Sequence, residues 1–534
     1  MATGNQRDIV IIGGGHNGLI TAFYLAKAGY KPLVLERSAQ VGGAAITDEF
    51  HPGFRCSTLA HTAGPILPGI VRDMQLDKHG LKWITPDVCV TALSPDGRAL
   101  SLYQDPRKSA QEIAAFSQKD AAKYPEFAQS LAKISKVIGE ALATTPPDID
   151  SPTRGDLWSM LKTGRAIRNL GKRDMFRLLR WGPMAVADLA SEYFETELLR
   201  AVIAARGVFG TFLGPWSAGS ALVLLIRAAG DSHPAGSAAL AAGGMGAVTQ
   251  AMASAAKAAG VEIRTAAEVI EIRVQNGAAT GVLLSTGEEI QAKTVISNAD
   301  PKRTLLKLTD PTHLSPDFVQ RLQHYRGNGT VAKVNLALSG LPKFRALKDG
   351  DASALKGRIH IGNEIDYLER AFDESKYGDF SRQPHLDCTI PSLTDPTLAA
   401  DGKHVMSIYM QYAPYKLKGG WEDRNGDAQR KALGQTVVQT LAQYAPNLPE
   451  LILTHQIITP LDLEEKYGLT GGQIFHGELA LDQFFTMRPL LDWARYKTPI
   501  QNLYLCGSGT HPGAGLTGGS GANAAREILK ELRK

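Results

Sequence analysis

The sequence predicts the α/β class, with a discontinuous domain built on a parallel sheet and an α+β domain inserted into it. Three observations predict this arrangement. The chain starts with a β-branched run, a glycine-rich turn and a helical pattern, and it ends with another strand, glycine-rich loop and helix. A third block of helix and strands lies between them. With 534 residues, 44% hydrophobic and 21% charged, the chain is long and apolar enough for two packed domains.

The first element is a strand, turn and helix at the N-terminus. Asp8–Ile12 is a short β-branched run, and the apolar residues after Gly18 recur at helical spacing. Between them, Gly13, Gly15 and Gly18 fit the G-x-G-x-x-G pattern of a Rossmann-like dinucleotide-binding domain. The first glycine permits the turn, the second admits a pyrophosphate, and the third lets helix and strand pack closely. We expect the phosphates at the helix N-terminus, where unpaired N–H groups favour an anion.

The second strand ends in an acidic residue at the distance that such a domain requires. KPLVLE, at positions 31–36, ends in Glu36, whose carboxylate would hold the ribose hydroxyls and repel the 2′-phosphate of NADP. Arg37 and then Gly42, Gly43 and Ala44 follow, and this glycine pair predicts a second close approach of backbone to the same diphosphate. Domains that bind NAD do not usually need that approach, so we predict FAD as the cofactor and count all five residues among its contacts.

These motifs resemble those of a known family. DIVIIGGGHNGL (8–19) and LERSAQVGGAA (35–45) resemble the start of the phytoene-desaturase-like flavoproteins, and NLYLCGSGTHPGAGLTGGSGANAAREIL (502–529) resembles their C-terminal flavin motif. The group includes carotenoid desaturases, a carotenoid ketolase branch and a pyridine nucleotide-disulphide oxidoreductase domain-containing protein 2 branch. The resemblance implies an FAD-dependent oxidoreductase and spans essentially the whole chain, although its specific motifs all lie in the cofactor domain.

The resemblance also implies particular cofactor contacts. Gly507, Ser508, Leu516 and Thr517 would contact FAD from the C-terminal loop, and Val269 would offer its backbone to the adenine. In physical terms, residues 503–505 form a strand that leads into this loop, and a helix starts from Thr517. Its positive N-terminal end would stabilise the negative charge of the reduced flavin.

The middle block supplies further elements of the cofactor domain. We predict a helix over 247–259, strands over 261–264 and 268–274, and another strand within 293–301. The FAD-binding domain then comprises residues 1–75, 236–310 and 470–534. Residues 76–235 and 311–469 form the substrate-binding and cap region.

The reaction is less well specified than the cofactor. Because no second dinucleotide fingerprint follows, we expect the substrate to give hydride to the flavin, which oxygen, a quinone or another acceptor then reoxidises. The opposite direction, in which reduced flavin saturates a double bond, stays open. The catalytic candidates are His61, which follows the first cofactor segment, and His511 in the C-terminal loop, since imidazole moves protons near neutral pH. A purely structural role for His511 beside the flavin is the alternative.

The insertions indicate an apolar substrate of the isoprenoid or polyene kind. Residues 154–181 alternate basic and apolar side chains, which predicts either an interfacial helix on a membrane or an ordinary solvated cap helix. Residues 201–229 form a long apolar run, but Arg206, Gly210, Gly214 and Arg227 interrupt it. We therefore predict a broken, buried segment that lines the substrate cavity or forms plain core, and no membrane-spanning helix.

Composition excludes several other classes. Four scattered cysteines without Cys-x-x-Cys spacing argue against a metal site or a disulfide framework, and Cys506 is expected to be a buried hydrophobe rather than a flavin attachment site. A net charge of +5 is too small to indicate a nucleic-acid partner. The start of the chain has no basic, apolar leader pattern, so we expect a cytoplasmic protein, possible membrane contact aside. A flavin amine oxidase and a flavin-binding interaction protein stay open as alternatives, and the oligomeric state is not indicated.

Overall fold

The computed structural model describes residues 6–62, 66–231, 233–348, 351–422, 427–513 and 515–533. The first five residues, on which the expectation about a leader partly depends, lie outside this range. Within the described residues the strands are β1 (Arg7–Ile12), β2 (Pro32–Leu35), β3 (Thr47–His51), β4 (Phe54–Ser57), β5 (Trp83–Ile84), β6 (Val88–Leu93), β7 (Ala99–Tyr103), β8 (Leu240–Ala241), β9 (Glu262–Arg264), β10 (Val269–Gln275), β11 (Ala278–Leu284), β12 (Glu289–Ser297), β13 (Val331–Leu338), β14 (Arg358–Ile361), β15 (His385–Thr389), β16 (His404–Gln411), β17 (Ile452–Ile458) and β18 (Leu503–Leu505).

The α-helices of the same residues are α1 (His16–Lys27), α2 (Pro68–Asp73), α3 (Pro106–Ile113), α4 (Gln118–Leu142), α5 (Arg154–Asn169), α6 (Gly171–Trp181), α7 (Val186–Tyr193), α8 (Glu197–Val208), α9 (Ser220–Asp231), α10 (Gly246–Ala258), α11 (Pro316–His324), α12 (Ile365–Lys376), α13 (Ala428–Ala442), α14 (Leu448–Leu451), α15 (Pro460–Glu465) and α16 (Gly519–Leu532). A short π-helix covers Arg303–Lys307, and single 3-10 turns connect several of the other elements.

The first sheet holds the predicted N-terminal and C-terminal strands side by side. Its parallel part has the order β18-β12-β1-β2-β9, and the antiparallel strands β11 and β10 extend it from the first half of β12. β1 lies in the middle because its apolar residues are buried on both faces, which is typical of a parallel sheet. Helix α1 packs against both α10 and α16, so the two ends of the chain share one core.

The second sheet belongs to the inserted region. Its order is β17-β13-β16-β15-β14-β6-β7, and it is antiparallel apart from the β14–β6 pair. Helices α3, α4, α7, α8 and α9 contribute to a separate helical core next to it. All strands of the first sheet fall in the segments predicted for the cofactor domain, and all strands of this one in the predicted insertions. The predicted α/β class with an α+β insertion is confirmed.

Of two predicted helical segments, one differs in detail from the structure and the other agrees with it. The basic segment is two helices, α5 and α6, because Gly171 takes a left-handed conformation between them (φ +80°). The apolar run is broken into α8 and α9, and Gly210 takes φ +71° in the loop that separates them. No helix among the described residues combines the length and apolarity needed to cross a membrane.

Candidate active site

A cavity of about 550 Å³ is lined by residues of both sheets and of the cap helices. This volume is in the usual range for ligand pockets. Most of the residues predicted to contact the cofactor lie in its wall: Gly13, Gly15, Glu36, Arg37, Gly42, Gly43, Ala44, Val269, Ser508, Leu516 and Thr517. His61 lines the cavity as well, whereas Gly18, Gly507 and His511 do not.

The first glycine turn joins β1 to α1 at the cavity. Gly13 takes φ +94°, and its N–H donates to the carbonyl of Leu35 at 2.7 Å. Gly15 is the N-cap of α1, and no side chain caps the helix, so its N-terminus is open toward an anion. Gly18 lies behind the turn, where a Cβ atom would be 2.3 Å from the Gly13 carbonyl oxygen. Its absence from the wall fits the packing role predicted for the third glycine.

Glu36 is buried at the end of β2 with its carboxylate held by backbone. Its Oε2 accepts from the N–H of Gly14 at 2.8 Å, and its Oε1 accepts from the N–H of Ser38 at 2.8 Å. Each carboxylate oxygen has a second acceptor position, which leaves room for ribose hydroxyls. The neighbouring Arg37 donates to the carbonyl of Lys466, and burial lowers the pKa of its guanidinium.

The second glycine pair packs onto the first turn. The N–H of Gly42 donates to the carbonyl of Gly14 at 3.0 Å, and Gly42 takes φ +138°. A Cβ atom on Gly43 would lie 3.5 Å from the Cα of Gly15. Two stretches of backbone thus meet at one point of the cavity wall, as predicted for a shared diphosphate.

The side chain of Asn17 in the N-terminal turn forms hydrogen bonds with the C-terminal loop and helix. Asn17 donates from Nδ2 to Ser508 Oγ at 3.1 Å, and its Oδ1 accepts from the N–H of Gly521 at 3.1 Å. Helix α16 starts at Gly519, so this contact to Gly521 caps its N-terminus from the neighbouring turn, close to the cavity. Gly507 lies behind the wall, where a Cβ atom would be 2.5 Å from the carbonyl oxygen of Asn298.

These features fit FAD. The N-terminus of α1 lacks a side-chain cap, two glycine turns expose backbone, and a buried carboxylate stands at the end of the second strand. The diphosphate would contact the turn around Gly15, and Glu36 would take the ribose. Val269 begins β10 in the cavity wall beyond Glu36, where the adenine would bind.

His61 meets a buried lysine at the other end of the cavity. The Nζ of Lys333 and the Nδ1 of His61 are 2.9 Å apart. The ring of Tyr409 lies beside both, with its centroid 4.2 Å from the His61 ring centroid and 4.0 Å from the Lys333 Nζ. All three line the cavity, where they form one cluster of titratable side chains.

Burial sets the protonation state of this group. Desolvation lowers the pKa of Lys333 to about 7, and it lowers the pKa of His61 well below the usual value, with a further contribution from the charge of Lys333. His61 is therefore neutral at pH 7, while Lys333 is poised between its ammonium and amine forms. A lysine that titrates near neutral pH can release or accept a proton.

The structure does not bring His511 into this group. Its ring is fully buried outside the cavity wall, edge-on to Phe485 with 5.4 Å between ring centroids. Desolvation lowers its pKa to about 3, partly offset by the backbone at the C-terminal end of α4. The placement outside the wall favours the structural role given as the alternative, and a catalytic role for His511 stays a prediction.

Polar residues close to His61 and His511 in the sequence also have structural partners. Ser57 Oγ accepts from the N–H of Met245 at 2.9 Å, Thr58 donates to Asp48 at 2.7 Å, and Thr510 donates to the carbonyl of Gly507 at 2.8 Å. Cys506 is buried in the core of the first domain, and desolvation raises its pKa to about 12. As expected, it behaves as a small hydrophobe.

Several residues of the site were not identified from the sequence. Lys333 and Tyr409 lie on β13 and β16, and a group of charged cap and sheet residues lines the same half of the cavity: Arg206, Arg227, Asp231, Arg358 and Asp387. One signal was available for Lys333, because it is the single charged residue in the apolar strand VAKVNLAL. A charge inside a fully buried strand is rare unless it is paired or functional.

Comparison with known proteins identifies the family. The family model for flavin containing amine oxidoreductases matches residues 18–529. Pyridine nucleotide-disulfide oxidoreductase domain-containing protein 2 of Rattus norvegicus is 36% identical, over 99% of this chain and 94% of its own length. A limonene dehydrogenase subunit of Castellaniella defragrans is 28% identical, over 100% of this chain and 96% of its own length.

A solved structure shows the same fold. A triple mutant of putrescine oxidase matches 99% of this chain and 99% of its own with a TM-score of 0.60, at 16% identity. The resemblance recognised in the terminal motifs is confirmed, as is the prediction of the cofactor. The chain therefore belongs to the flavin containing amine oxidoreductase family, and it is an FAD-dependent oxidoreductase.

Proposed function

We propose that the protein oxidises an apolar substrate, of the isoprenoid kind, by transfer of hydride from a substrate carbon to FAD. The observation that supports this most is the shared cavity, which is lined by both the glycine turns and the His61–Lys333 pair. Phe209, Tyr409 and Ile226 give the substrate half an aromatic and aliphatic surface. The name of the bacterial relative, a limonene dehydrogenase, refers to an isoprenoid hydrocarbon and supports the same substrate class.

The flavin, when bound, supplies the two-electron acceptor for the hydride. The protein's own part is to place the substrate carbon and to take up the proton that leaves with the hydride when a C–H pair is oxidised. Neutral Lys333 accepts that proton, and His61 holds the resulting ammonium by accepting a hydrogen bond at Nδ1. This assignment makes His61 a positioning residue and Lys333 the general base.

The electrons leave the reduced enzyme to an acceptor other than a nicotinamide. The glycine-rich turn after Ala241 lies between the two-residue strand β8 and α10, and so differs from the strand, turn and helix at the N-terminus. Oxygen, with release of hydrogen peroxide, or a quinone would serve as acceptor. The overall reaction moves two electrons and two protons from substrate to that acceptor.

An amine substrate is the second candidate, because the family model is named for amine oxidoreductases. The charge of the cavity opposes it. Arg206, Arg227 and Arg358 line the substrate half, and they outnumber its carboxylates, Asp231 and Asp387, among the described residues. A protonated amine would be repelled from this half of the cavity.

Anaerobic bleaching of the flavin tests the proposal. The purified holoenzyme is mixed separately with limonene, carotenoids, amines and NAD(P)H, and its absorbance is recorded. We expect bleaching with an isoprenoid and little with NAD(P)H. Bleaching by NAD(P)H alone would overturn the assignment of the hydride donor, bleaching by amines with peroxide release would favour the second candidate, and a flavin oxidised under every condition would favour an interaction protein.

An apolar substrate also needs a route to the enzyme, and we propose that α5 and α6 contact an anionic membrane. Large apolar side chains are exposed there: Leu157 (54%), Trp158 (71%), Leu161 (63%), Phe176 (55%) and Leu179 (64%). Exposed basic residues on the same two helices, Lys162, Arg165, Arg168 and Lys172, have no ion pair among the described residues. Apolar anchors flanked by free cations match an anionic bilayer surface.

A further inference from the structure

Arg227 differs from the other two arginines of the substrate half. Arg206 donates from one nitrogen to both carboxylate oxygens of Asp231 at 3.0 and 2.9 Å, and Arg358 donates to Asp387 at 2.8 Å. Arg227 makes no hydrogen bond or ion pair with any described residue, and its Nε is buried without a partner. Among the described residues of the substrate half, Arg227 is therefore the guanidinium that has no hydrogen-bonded carboxylate.

A buried guanidinium without a hydrogen-bond partner is costly. Burial lowers the pKa of Arg227 to about 10, the charges of Arg206 and Arg358 contribute, and those of Asp231 and Asp387 oppose them without forming an ion pair with it. This pKa still leaves the group protonated at pH 7. The ring of Phe209 lies 4.5 Å from its central carbon and provides a cation–π contact. A ring face satisfies none of the five N–H donors, so the charge still calls for an anionic partner.

We propose that Arg227 binds a carboxylate of the substrate, which makes the substrate an apolar molecule with a carboxylate end. This inference rests on the proposed function and specifies its substrate class. The planar guanidinium can hold the two carboxylate oxygens with two parallel hydrogen bonds. One free positive charge matches the single negative charge of a carboxylate.

The rings of Phe209 and Tyr409 form the surface that would contact the apolar part of such a substrate. The Phe209 ring that covers Arg227 meets the Tyr409 ring at 5.1 Å between centroids, edge to face. Tyr409 in turn lies beside Lys333 and His61. A substrate anchored at Arg227 would lie along the two rings, with its reacting carbon at the His61–Lys333 pair.

Binding of decanoate to the FAD-loaded enzyme tests this inference without requiring turnover. Dissociation constants are measured by calorimetry and by the shift of the flavin absorbance for decanoate, uncharged methyl decanoate, decylamine and inorganic phosphate. The variants are Arg227→Gln, Arg227→Lys and, as a matched control, Arg107→Gln on the exposed face of α3. We expect Arg227→Gln to weaken decanoate binding about 10- to 100-fold, Arg227→Lys to weaken it less, and Arg107→Gln to leave it unchanged.

Several outcomes would overturn the inference. Methyl decanoate that binds as tightly as decanoate, decanoate binding insensitive to Arg227→Gln, or phosphate that binds at Arg227 more tightly than decanoate would each reject a carboxylate site. If both Arg227 variants fail to retain FAD, the comparison of acid and ester on the natural enzyme still decides. A flavin that never bleaches while decanoate binds would refute the proposed function alone. Bleaching by an isoprenoid carboxylic acid that Arg227→Gln leaves unchanged would refute this inference alone.

Discussion

The two halves of the cavity are built from different parts of the polypeptide. The cofactor half is mostly backbone, with the turn around Gly15, the pair at Gly42 and Gly43, and the open N-terminus of α1. The substrate half consists of long side chains from the cap helices and the second sheet, such as Arg227 and Lys333. Backbone can cradle the same cofactor in many enzymes, while exchange of a few side chains changes the substrate. Substitutions in the cofactor half should therefore affect FAD retention, and substitutions in the substrate half should affect flavin reduction by substrate.

The largest effect is expected from the cofactor half, at Gly18. The change Gly18→Ala places a Cβ atom 2.3 Å from the Gly13 carbonyl oxygen, which belongs to the turn itself. The turn must shift, and we expect the purified variant to be nearly free of flavin. Flavin absorbance per mole of protein and calorimetric titration with FAD measure this.

Gly164→Ala is the matched control for this change, because Gly164 also lies in a helix and a Cβ atom there meets nothing within 4 Å. Alanine is the better helix former, so the control should keep its FAD and gain slightly in stability. Full flavin content in Gly18→Ala would contradict the packing described for the turn.

The next effect is expected in the substrate half, at Lys333. Lys333→Met removes the proposed base, and we expect flavin reduction by substrate to slow by about 100-fold or more while FAD content is unchanged. In the natural enzyme the reduction rate should rise with pH through about 7, where Lys333 becomes neutral, and this rise should be absent from the variant. Stopped-flow absorbance at several pH values measures both. Lys293→Met, at an exposed lysine on β12, is the control.

The pH dependence of the free energy of unfolding tests the lowered pKa of Lys333 independently. Because burial lowers the pKa of Lys333 to about 7, below its value in the unfolded chain, the folded state binds fewer protons between the two values. The free energy of unfolding should therefore gain a contribution that increases as the pH rises from about 7 toward 10. Denaturant unfolding across this range should show that contribution in the natural protein and lose it in Lys333→Met. An identical pH dependence in both proteins would contradict a buried, titrating Lys333.

A smaller effect is expected from Glu36→Gln in the cofactor half. The carboxylate accepts from two backbone N–H groups and would also accept from the ribose, and the amide retains only part of that acceptor capacity. We expect FAD affinity to fall about tenfold without loss of the fold. Calorimetry on the apoprotein measures the dissociation constant, with Glu289→Gln at an exposed strand residue as control. An unchanged constant would remove the assigned ribose contact.

The same contrast explains what could be predicted from the sequence. Gly13, Glu36 and Gly42 were identified because the turn and the ribose site need particular residues at short spacing, and such spacing is visible in one dimension. The strands and helices of the cofactor domain were placed for the same reason, with boundaries that shifted by a few residues. Helix α16, for example, begins at Gly519 rather than at Thr517.

The substrate half could not be assembled in this way. Arg227, Lys333 and Tyr409 come from a cap helix and two strands, and only tertiary packing brings them together. His511 shows the converse problem, because its position in the flavin motif suggested chemistry and its ring turned out to face the end of α4. A motif therefore fixes where the backbone goes more reliably than where a side chain points.

The smallest effect is expected outside both halves, on α5 and α6. Replacing Trp158, Leu161 and Phe176 with serine removes exposed apolar anchors, and we expect binding to phosphatidylglycerol vesicles to fall about three- to fivefold. FAD content and bleaching by a dissolved substrate should stay as they are, since these residues do not line the cavity. Vesicle co-sedimentation measures the binding, and Leu453→Ser, an exposed leucine on β17, is the control. If the natural protein bound phosphatidylcholine vesicles equally well, the free cations would not contribute to membrane binding. If it bound neither kind of vesicle, α5 and α6 would be ordinary cap helices.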